Sequence, residues 1–304
     1  MIQSISTKTD FYIFCAFDEW YADLSYVFFA SFNQYNSDKI LHVHCINFSE
    51  EKYLTYKNIV SKYFKNVITE LYSQPSNDKY VAVDDRELTV YAAHTEVLEH
   101  KIKFWAASEY KHILYLDIDM LVRGDVSLLL KDATTNVIGS RHHKDKGYGY
   151  NAGVIVINQP DNPTMLKQYN ALLTNLKDKL TFPEEYLLDN LTDYTRGEFA
   201  DYLHCVPQSR EFDKDKTVIA HFYPVAIKLW DKCTDKLVQT IFGTRFSICA
   251  NEWYALYDKV KVLNILSDRF CKKVDSKRSY INKLIALKTK ADNRRQKLYG
   301  SVLR

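Results

Sequence analysis

The sequence predicts an α/β fold in which a mixed, mainly parallel sheet is flanked by helices and followed by a basic helical tail. Short apolar segments alternate with longer segments of helical periodicity through the first two thirds of the 304 residues. Such alternation is typical of parallel strands joined by crossover helices. Residues 261–304 instead hold 13 Lys and Arg against 3 Asp and Glu. We therefore expect a main domain over residues 1–258 and a helical extension over residues 259–304.

Strands are predicted where apolar, β-favouring runs end at polar or turn-forming residues. They lie near Phe11–Phe17, Leu41–Asn47, Val67–Leu71, Ile113–Asp117, Val137–Ser140, Ala152–Asn158 and Val218–Phe222. Helical periodicity fills the intervals at about 21–35, 50–65, 92–110, 163–178 and 184–191. Two polar, turn-rich stretches, Ser73–Asp85 and His142–Tyr150, are left as loops. Loops at the carboxyl ends of parallel strands usually carry the ligand contacts.

Composition excludes several classes of protein. No run approaches the roughly 18 apolar residues of a membrane-spanning helix, and the polar start Met1–Asp10 does not have the pattern of a secretory signal. The first strand is not followed by Gly-x-Gly-x-x-Gly, which disfavours a dinucleotide oxidoreductase. The cysteines lie far apart without a Cys-x-x-Cys pair, so we expect reduced core thiols in a cytoplasmic protein. They are Cys15, Cys45, Cys205, Cys233, Cys249 and Cys271.

The strongest chemical signal is a pair of aspartates at the end of a core strand. Asp117 and Asp119 follow the apolar run His112–Leu116. Two carboxylates one residue apart can turn oxygens toward one hard cation, whereas without a cation they would repel each other. A second copy of the pattern, Asp213-Lys214-Asp215, has no strand before it and is interpreted as a solvated loop. Spacing and context alone leave a metal site and an incidental pair equally open.

Further segments accompany this pair and together carry a family resemblance. They are Cys15-Ala16-Phe17-Asp18-Glu19-Trp20-Tyr21, Lys101-Ile102-Lys103-Phe104-Trp105, Asn151-Ala152-Gly153-Val154, Glu184-Glu185-Tyr186-Leu187-Leu188, and Ile219-Ala220-His221-Phe222 with Lys228 and Trp230 downstream. From about Phe11 to Asp231 the chain resembles the family 8 retaining glycosyltransferases. This family has the GT-A, Rossmann-like fold and includes glycogenin and bacterial lipopolysaccharide galactosyltransferases.

The resemblance implies transfer of a hexose from a UDP-sugar donor, and it assigns residues to the nucleotide. Asp18 matches the residue that hydrogen-bonds the uracil edge, and Tyr21 matches the aromatic residue that stacks on the uracil ring. The alternative for Tyr21 is a helix residue that packs on the sheet. Ala16 and Ile118 fall at donor-binding positions. Lys101 matches a lysine that reaches the donor phosphate and sugar.

The resemblance also implies a metal site formed by Asp117, Asp119 and His221. A nitrogen ligand beside two carboxylates favours Mn²⁺ over Mg²⁺, although Mg²⁺ also suits the oxygen ligands. A single histidine near a strand end is otherwise most often a hydrogen-bonded structural residue. Lys228 matches the lysine that covers the diphosphate, although Pro224 replaces a family glycine and implies a different loop path there.

The sugar-binding positions match less closely. Asn151 and Gly153 fit the family's strand start, where the asparagine faces the donor sugar and the glycine leaves room for it. Glu184 and Glu185 stand where the family usually has Asp-Gln, so the residue that faces the sugar is left open. Both glutamates are also explained as acids at a helix start after Pro183, where the helix dipole favours them.

The acceptor and the tail leave several alternatives. We expect a glycan acceptor on lipopolysaccharide or another surface glycan. The alternatives are modified nucleic acid, a protein tyrosine, or a nucleotide-sugar-binding protein without turnover. The tail has a weak amphipathic pattern at Ile281, Leu284 and Ile285 among its basic residues. It is interpreted either as a helix for an anionic membrane surface or other polyanion, or as a solvated helix packed on the body.

Overall fold

The computed structural model describes residues 11–74, 95–107, 110–130, 135–141, 150–158, 162–175, 183–192, 194–207, 209–222, 228–230 and 244–299. Ten strands lie in these ranges: β1 (Phe11–Asp18), β2 (Leu41–Ile46), β3 (Val67–Tyr72), β4 (His112–Leu116), β5 (Met120–Val122), β6 (Val137–Arg141), β7 (Tyr150–Asn158), β8 (Arg196–Glu198), β9 (His204–Cys205) and β10 (Ile219–His221). The described α-helices are α1 (Ala22–Asn36), α2 (Glu50–Tyr63), α3 (Thr95–Ala107), α4 (Asn162–Asn175), α5 (Pro183–Asn190), α6 (Thr244–Lys261) and α7 (Asp268–Tyr299). Short 3-10 helices span Glu19–Tyr21 and Val126–Leu130.

The main sheet has seven strands in the order β3-β2-β1-β4-β7-β6-β8. Strand β1 pairs in parallel with β2 and β4, and β2–β3 and β6–β8 are also parallel. The β4–β7 and β6–β7 pairs are antiparallel. The sheet is therefore mixed and mainly parallel, as the sequence predicts.

Helices cover both faces of this sheet, because successive side chains of a strand point to opposite faces. On β1, Ile13, Cys15 and Phe17 join a core built with α1, α2, α6 and α7. The alternate residues Tyr12 and Phe14 join a second core built with α3, α4 and α5. Because both faces are buried, the central strands are continuous runs of apolar residues and do not alternate between apolar and polar residues.

A small second sheet has the order β5-β10-β9 and was not predicted as a unit. Strand β10 pairs antiparallel with β5, with His221 opposite Met120. The backbone N–H of Phe222 donates to the carbonyl of Asp119 at 2.8 Å. Of its three strands only β10 falls in a predicted range, because β5 and β9 carry too little sequence pattern to be recognised and are defined by their pairing.

The first half of the basic tail helix packs on the body. Val274 and Ile281 of α7 are buried in the same core as α1 and α6, and Leu284 packs against it. At the helix entry, the Ser267 hydroxyl donates to Asp23 at 2.6 Å. These contacts favour the packed interpretation up to Leu284, whereas the side chain of Ile285 lies outside the described ones. Among the described helices, none combines the length and apolar character that a bilayer span requires.

The cysteines and the second aspartate pair behave as expected in the part of the chain described. Cys15, Cys45, Cys205 and Cys249 are buried free thiols, and Cys271 is a partly exposed one. Cys233 lies outside the described residues. The segment Asp213-Lys214-Asp215 forms a turn with exposed Lys214 and Asp215, so the solvated-loop prediction is confirmed.

A buried histidine pair lies on the α3 side of the sheet. His44 Nδ1 and His100 Nε2 are 2.9 Å apart, and His44 Nε2 meets the Tyr12 hydroxyl at 3.0 Å. Burial, with the neighbouring His100, lowers the pKa of His44 to about 3. Burial, with Lys103, lowers the pKa of His100 to about 4. Both imidazoles are therefore neutral in the folded protein at neutral pH.

This pair predicts a loss of stability in acid. Below the ordinary pKa of 6.5, His44 and His100 become protonated in the unfolded chain but stay neutral in the folded protein. The free energy of unfolding should therefore fall as the pH drops from about 6.5 toward 4. Urea unfolding across this range should show a flatter decline for His100→Gln, which removes one of the two groups. An equal pH slope in that variant would contradict the assignment.

Candidate active site

Three side chains that the sequence assigns to a metal come together beyond the carboxyl end of β4. One ligand atom each from Asp117, Asp119 and His221 lies within 4.8 Å of the other two. His221 Nε2 is 3.0 Å from Asp119 Oδ1. Asp119 immediately precedes β5, and His221 ends β10, so the pairing of these two strands creates the contact. The structure thus brings a residue from far along the chain to the Asp-x-Asp pair.

Gly153 on β7 is what allows the three side chains to approach. A Cβ placed on Gly153 would lie 2.3 Å from His221 Cε1 and 2.8 Å from Asp117 Oδ2. Its carbonyl accepts from the Asp117 N–H at 2.8 Å. Its own N–H donates to Asn151 Oδ1 at 3.0 Å, and Asn151 is nearly buried at 8% exposure. The strand start Asn151–Gly153 therefore forms one wall of the site with no room for a side chain at the glycine.

Two neighbouring side chains hold Asp119 ionised. Lys228 Nζ lies 3.1 Å from Asp119 Oδ2, and His221 contacts Oδ1. Burial by itself would raise the pKa of Asp119, but Lys228 and His221 outweigh it and hold this pKa well below its ordinary range. A charged carboxylate, a second carboxylate and an imidazole within one small volume are a suitable donor set for a hard divalent cation.

Asp117 is oriented from the interior of the sheet. Its Oδ1 accepts a short hydrogen bond from the hydroxyl of Tyr115, two residues earlier on β4. Lys101 on α3 is only 2% exposed, and its Nζ donates to the Ala152 carbonyl at 3.3 Å. The same ammonium lies 4.5 Å from the centre of the Tyr115 ring. Lys101 therefore contacts two strands that form the site, β7 through Ala152 and β4 through Tyr115, which is the tyrosine that donates to Asp117.

The predicted nucleotide residues follow the neighbouring strand β1. Because β1 and β4 are parallel, their carboxyl ends lie at the same edge of the sheet, where ligands bind in α/β proteins. Asp18 Oδ1 accepts from the Trp20 N–H at 3.0 Å and so caps the 3-10 helix. Tyr21 is partly exposed while it packs against the core, and both interpretations of it remain compatible with this placement. Ala16 and Ile118 are buried at 5% and 6% exposure.

The remaining predicted residues are described in part. Glu185 is partly buried on α5, whose Asp189 accepts from the Tyr150 N–H at 3.2 Å and ties the helix to the start of β7. The side chain of Glu184 lies outside the described ones. Residues 75–85 and 142–149 of the predicted loops, and Pro224, also lie outside the described residues.

Two residues that the sequence did not single out lie behind His221. His204 Nε2 is 3.1 Å from His221 Nδ1, and His204 Nδ1 is 2.8 Å from the Ser140 hydroxyl. Both histidines are buried. His204 lies on a two-residue strand, and no local pattern marks it, so the sequence offered no signal that would have found it.

Comparison with known proteins agrees with this architecture. No protein-family model and no curated protein matches the sequence. Among solved structures, an active-site mutant of LgtC superposes with a TM-score of 0.60 at 19% identity over 81% of this chain and 95% of that chain. The galactosyltransferase LgtC in complex with donor and acceptor sugar analogs gives 0.54 at 20% identity over 80% and 99%. The glycosyltransferase GlyE of Streptococcus pneumoniae TIGR4 gives 0.52 at 15% identity over 80% and 62%.

The chain has the GT-A fold. The solved structures that share it are glycosyltransferases of the family 8 type, which is the family that the sequence resembles. The fold prediction is therefore confirmed. At these identities the likeness establishes the GT-A architecture, and the chemistry has to be argued from the residues of the site.

The crowding at Gly153 predicts a severe effect of one added methyl group. In Gly153→Ala the Cβ would have to displace the His221 ring and the Asp117 carboxylate, because both lie closer than 3.0 Å to it. We expect Mn²⁺ affinity to fall by about tenfold or more, since ligand orientation controls metal affinity. Electron paramagnetic resonance of free Mn²⁺ during titration measures this change.

Gly124→Ala is the matched control. A Cβ at Gly124 would meet Val218 Cγ2 at 3.4 Å, which is an ordinary contact. This variant should bind Mn²⁺ as the unaltered protein does. Equal Mn²⁺ affinity for the two alanine variants would show that the Gly153 wall does not constrain the cluster.

Proposed function

We propose that the chain is a retaining hexosyltransferase that moves a hexose from a UDP-sugar to an acceptor hydroxyl with a divalent metal. The observation that carries the proposal is the convergence of Asp117, Asp119 and His221 within 4.8 Å in a chain with the GT-A fold. The likeness to a galactosyltransferase solved with donor and acceptor sugar analogs supports a sugar-nucleotide donor.

Asp117, Asp119 and His221 would hold the cation, and the imidazole nitrogen favours Mn²⁺ over Mg²⁺. When bound, such a cation neutralises negative charge on the departing diphosphate. Lys228 adds a second positive charge at the same place, because its ammonium already lies 3.1 Å from Asp119. Fixed positive charge in a partly buried site stabilises a leaving group better than water does, since it need not reorganise during the reaction.

The nucleotide would occupy the carboxyl end of β1. Asp18 would bind the uracil edge, and Tyr21 would stack on the ring, which is worth on the order of 1–3 kcal/mol. Ala16 and Ile118 would line this part of the site. Lys101 would act on the donor electrostatically, through the positive charge of an ammonium that is buried against Tyr115 and Ala152.

The hexose would lie against Asn151 and Gly153, near the start of α5 with Glu184 and Glu185. We assign neither glutamate the role of a nucleophile. Retention of the α configuration would therefore follow a front-face path, in which the departing phosphate oxygen accepts the proton of the acceptor hydroxyl. This path needs the leaving group and the acceptor on one face of the sugar, and it needs no carboxylate behind the anomeric carbon.

The proposed acceptor is a glycan of lipopolysaccharide or another surface glycan, reached from an anionic membrane surface. The basic character of the tail supports this choice, because polybasic helices are attracted to anionic lipid. Lys272, Lys283 and Lys290 of α7 are exposed to solvent. The part of α7 up to Leu284 also packs on the body of the protein. The helix would therefore hold the enzyme at the membrane surface while it stays packed on that body.

The metal-dependent transfer is tested with a panel of nucleotide sugars, measuring Mn²⁺-dependent release of the nucleoside diphosphate. Asp117→Asn combined with Asp119→Asn should lower this release by more than about 100-fold, because both charged oxygen ligands are lost. Asp213→Asn combined with Asp215→Asn changes the same pattern in an exposed turn and should leave the release unchanged. Donor binding without release from any nucleotide sugar would instead indicate a binding protein without turnover.

The membrane role of the tail is tested by sedimentation with anionic phosphatidylglycerol vesicles. Charge reversal of Lys272, Lys283 and Lys290 to Glu should abolish binding at physiological salt, since each basic residue near the surface is worth roughly 1 kcal/mol. The matched control reverses three exposed lysines at α2 and the turn after it, Lys57, Lys62 and Lys65. Equal losses in the two triple variants, or a gel shift with nucleic acid in place of vesicle binding, would contradict the proposal.

A further inference from the structure

A hydrogen-bonded row of polar side chains runs away from the site through the interior. It starts at Asp119, passes through His221 and His204, and ends at Ser140. The two imidazole rings stack with centroids 5.3 Å apart and planes inclined by 24°. The row connects β10 and β9 of the small sheet to β6 of the main sheet, and both histidines are at most 6% exposed.

The far end of the row permits the direction of hydrogen bonding that suits a metal at His221. The Ser140 hydroxyl can donate to the backbone carbonyl of His204 at 3.4 Å while its oxygen accepts from His204 Nδ1–H at 2.8 Å. With its proton on Nδ1, His204 presents Nε2 as an acceptor. When Nε2 of His221 binds a cation, Nδ1–H can donate to His204 across 3.1 Å; without a cation, the 3.0 Å contact with the Asp119 carboxylate, which only accepts, requires a proton on Nε2. Nε2 is then the ring nitrogen of His221 that faces the two aspartates.

The position of Ser140 depends on an irregularity in the main sheet. The register of the β6–β7 pair shifts between Gly139 and Ser140, where Ser140 comes opposite Asn151. Such irregularities change the direction of a side chain, and they are common beside functional sites. Here the shift lies at the strand start that also carries Gly153.

Building on the proposed function, we propose that His204 is a positioning residue that sets the tautomer and ring orientation of His221 for metal binding. Histidine ligands generally donate their second ring nitrogen to a fixed acceptor, and this acceptor controls the affinity for the metal. The usual acceptor is a carboxylate, a carbonyl or water. In this chain a second histidine takes that place, and Ser140 in turn fixes the tautomer of His204.

A structural role alone would leave metal affinity untouched, so metal affinity is the measurement. Mn²⁺ is titrated into the full chain, and free Mn²⁺ is read by electron paramagnetic resonance. His204→Phe keeps a ring of similar size but removes the acceptor, and it should weaken Mn²⁺ binding by about 10- to 100-fold. His204→Gln offers an amide oxygen to His221 Nδ1–H and should retain most of the affinity.

The matched control is His100→Phe. His100 and His44 form another buried pair, at 2.9 Å, on the α3 side of the sheet, with Tyr12 and Gln74 as further hydrogen-bond partners. This variant should lose stability in the same way while its Mn²⁺ affinity stays unchanged. Equal weakening in His204→Phe and His100→Phe, or no weakening in His204→Phe, would overturn the positioning role.

A second measurement keeps the test decisive if His204→Phe does not fold. Nitrogen-15 spectra of the histidine rings in the unaltered protein, saturated with diamagnetic Mg²⁺, should show the His221 resonance, identified by its loss in His221→Asn, with a proton on Nδ1 and a coupling to His204 Nε2. An unprotonated Nδ1 would overturn the inference. If the unaltered protein binds no Mn²⁺ and releases no nucleotide from any donor, the proposed function fails, and the inference fails with it.

Discussion

The antiparallel pairing of β5 with β10 is the contact on which the candidate site depends. It ties the segment directly after Asp119 to the segment that ends at His221, and the Phe222 N–H closes it on the Asp119 carbonyl. Without this pairing, few positive or hydrogen-bonding groups would offset the repulsion between the two carboxylates that follow β4. The pairing supplies an imidazole, and Lys228 a few residues on adds an ammonium, so the negative charge is balanced by groups from a distant part of the chain.

The cluster is held from three sides by residues that are not themselves metal ligands. Tyr115 orients Asp117 from the strand below, Gly153 leaves the space into which His221 and Asp117 fit, and His204 holds the far nitrogen of His221. Sites built on strands keep their geometry better than sites built on loops. The nucleotide end differs, because Asp18 ends β1 and caps a short 3-10 helix that contains Tyr21 and Trp20, and Trp20 remains 73% exposed.

The long, strongly patterned elements were predictable because local propensity and burial agree in them. β1 to β4 and β6, β7, with α1 to α5, lie close to their predicted ranges. The short strands β5, β8 and β9 escaped prediction, since two or three residues carry no periodicity and exist only through pairing. The tail shows the same limit. Its amphipathic pattern was visible, but the burial of Val274 and Ile281 against α1 and α6 required the body to be present.

The sequence by itself determined the α/β class, the strand that precedes Asp117 and Asp119, and the family resemblance that identified His221 as a candidate ligand. Each of these is encoded in neighbouring residues and fixed spacings. Only the tertiary structure decided that His221 reaches Asp119, that Gly153 must lack a side chain, and that His204 and Ser140 stand behind the imidazole. These features depend on pairings between segments far apart in the chain. No local pattern specifies such pairings, because they are chosen by the packing of the whole sheet.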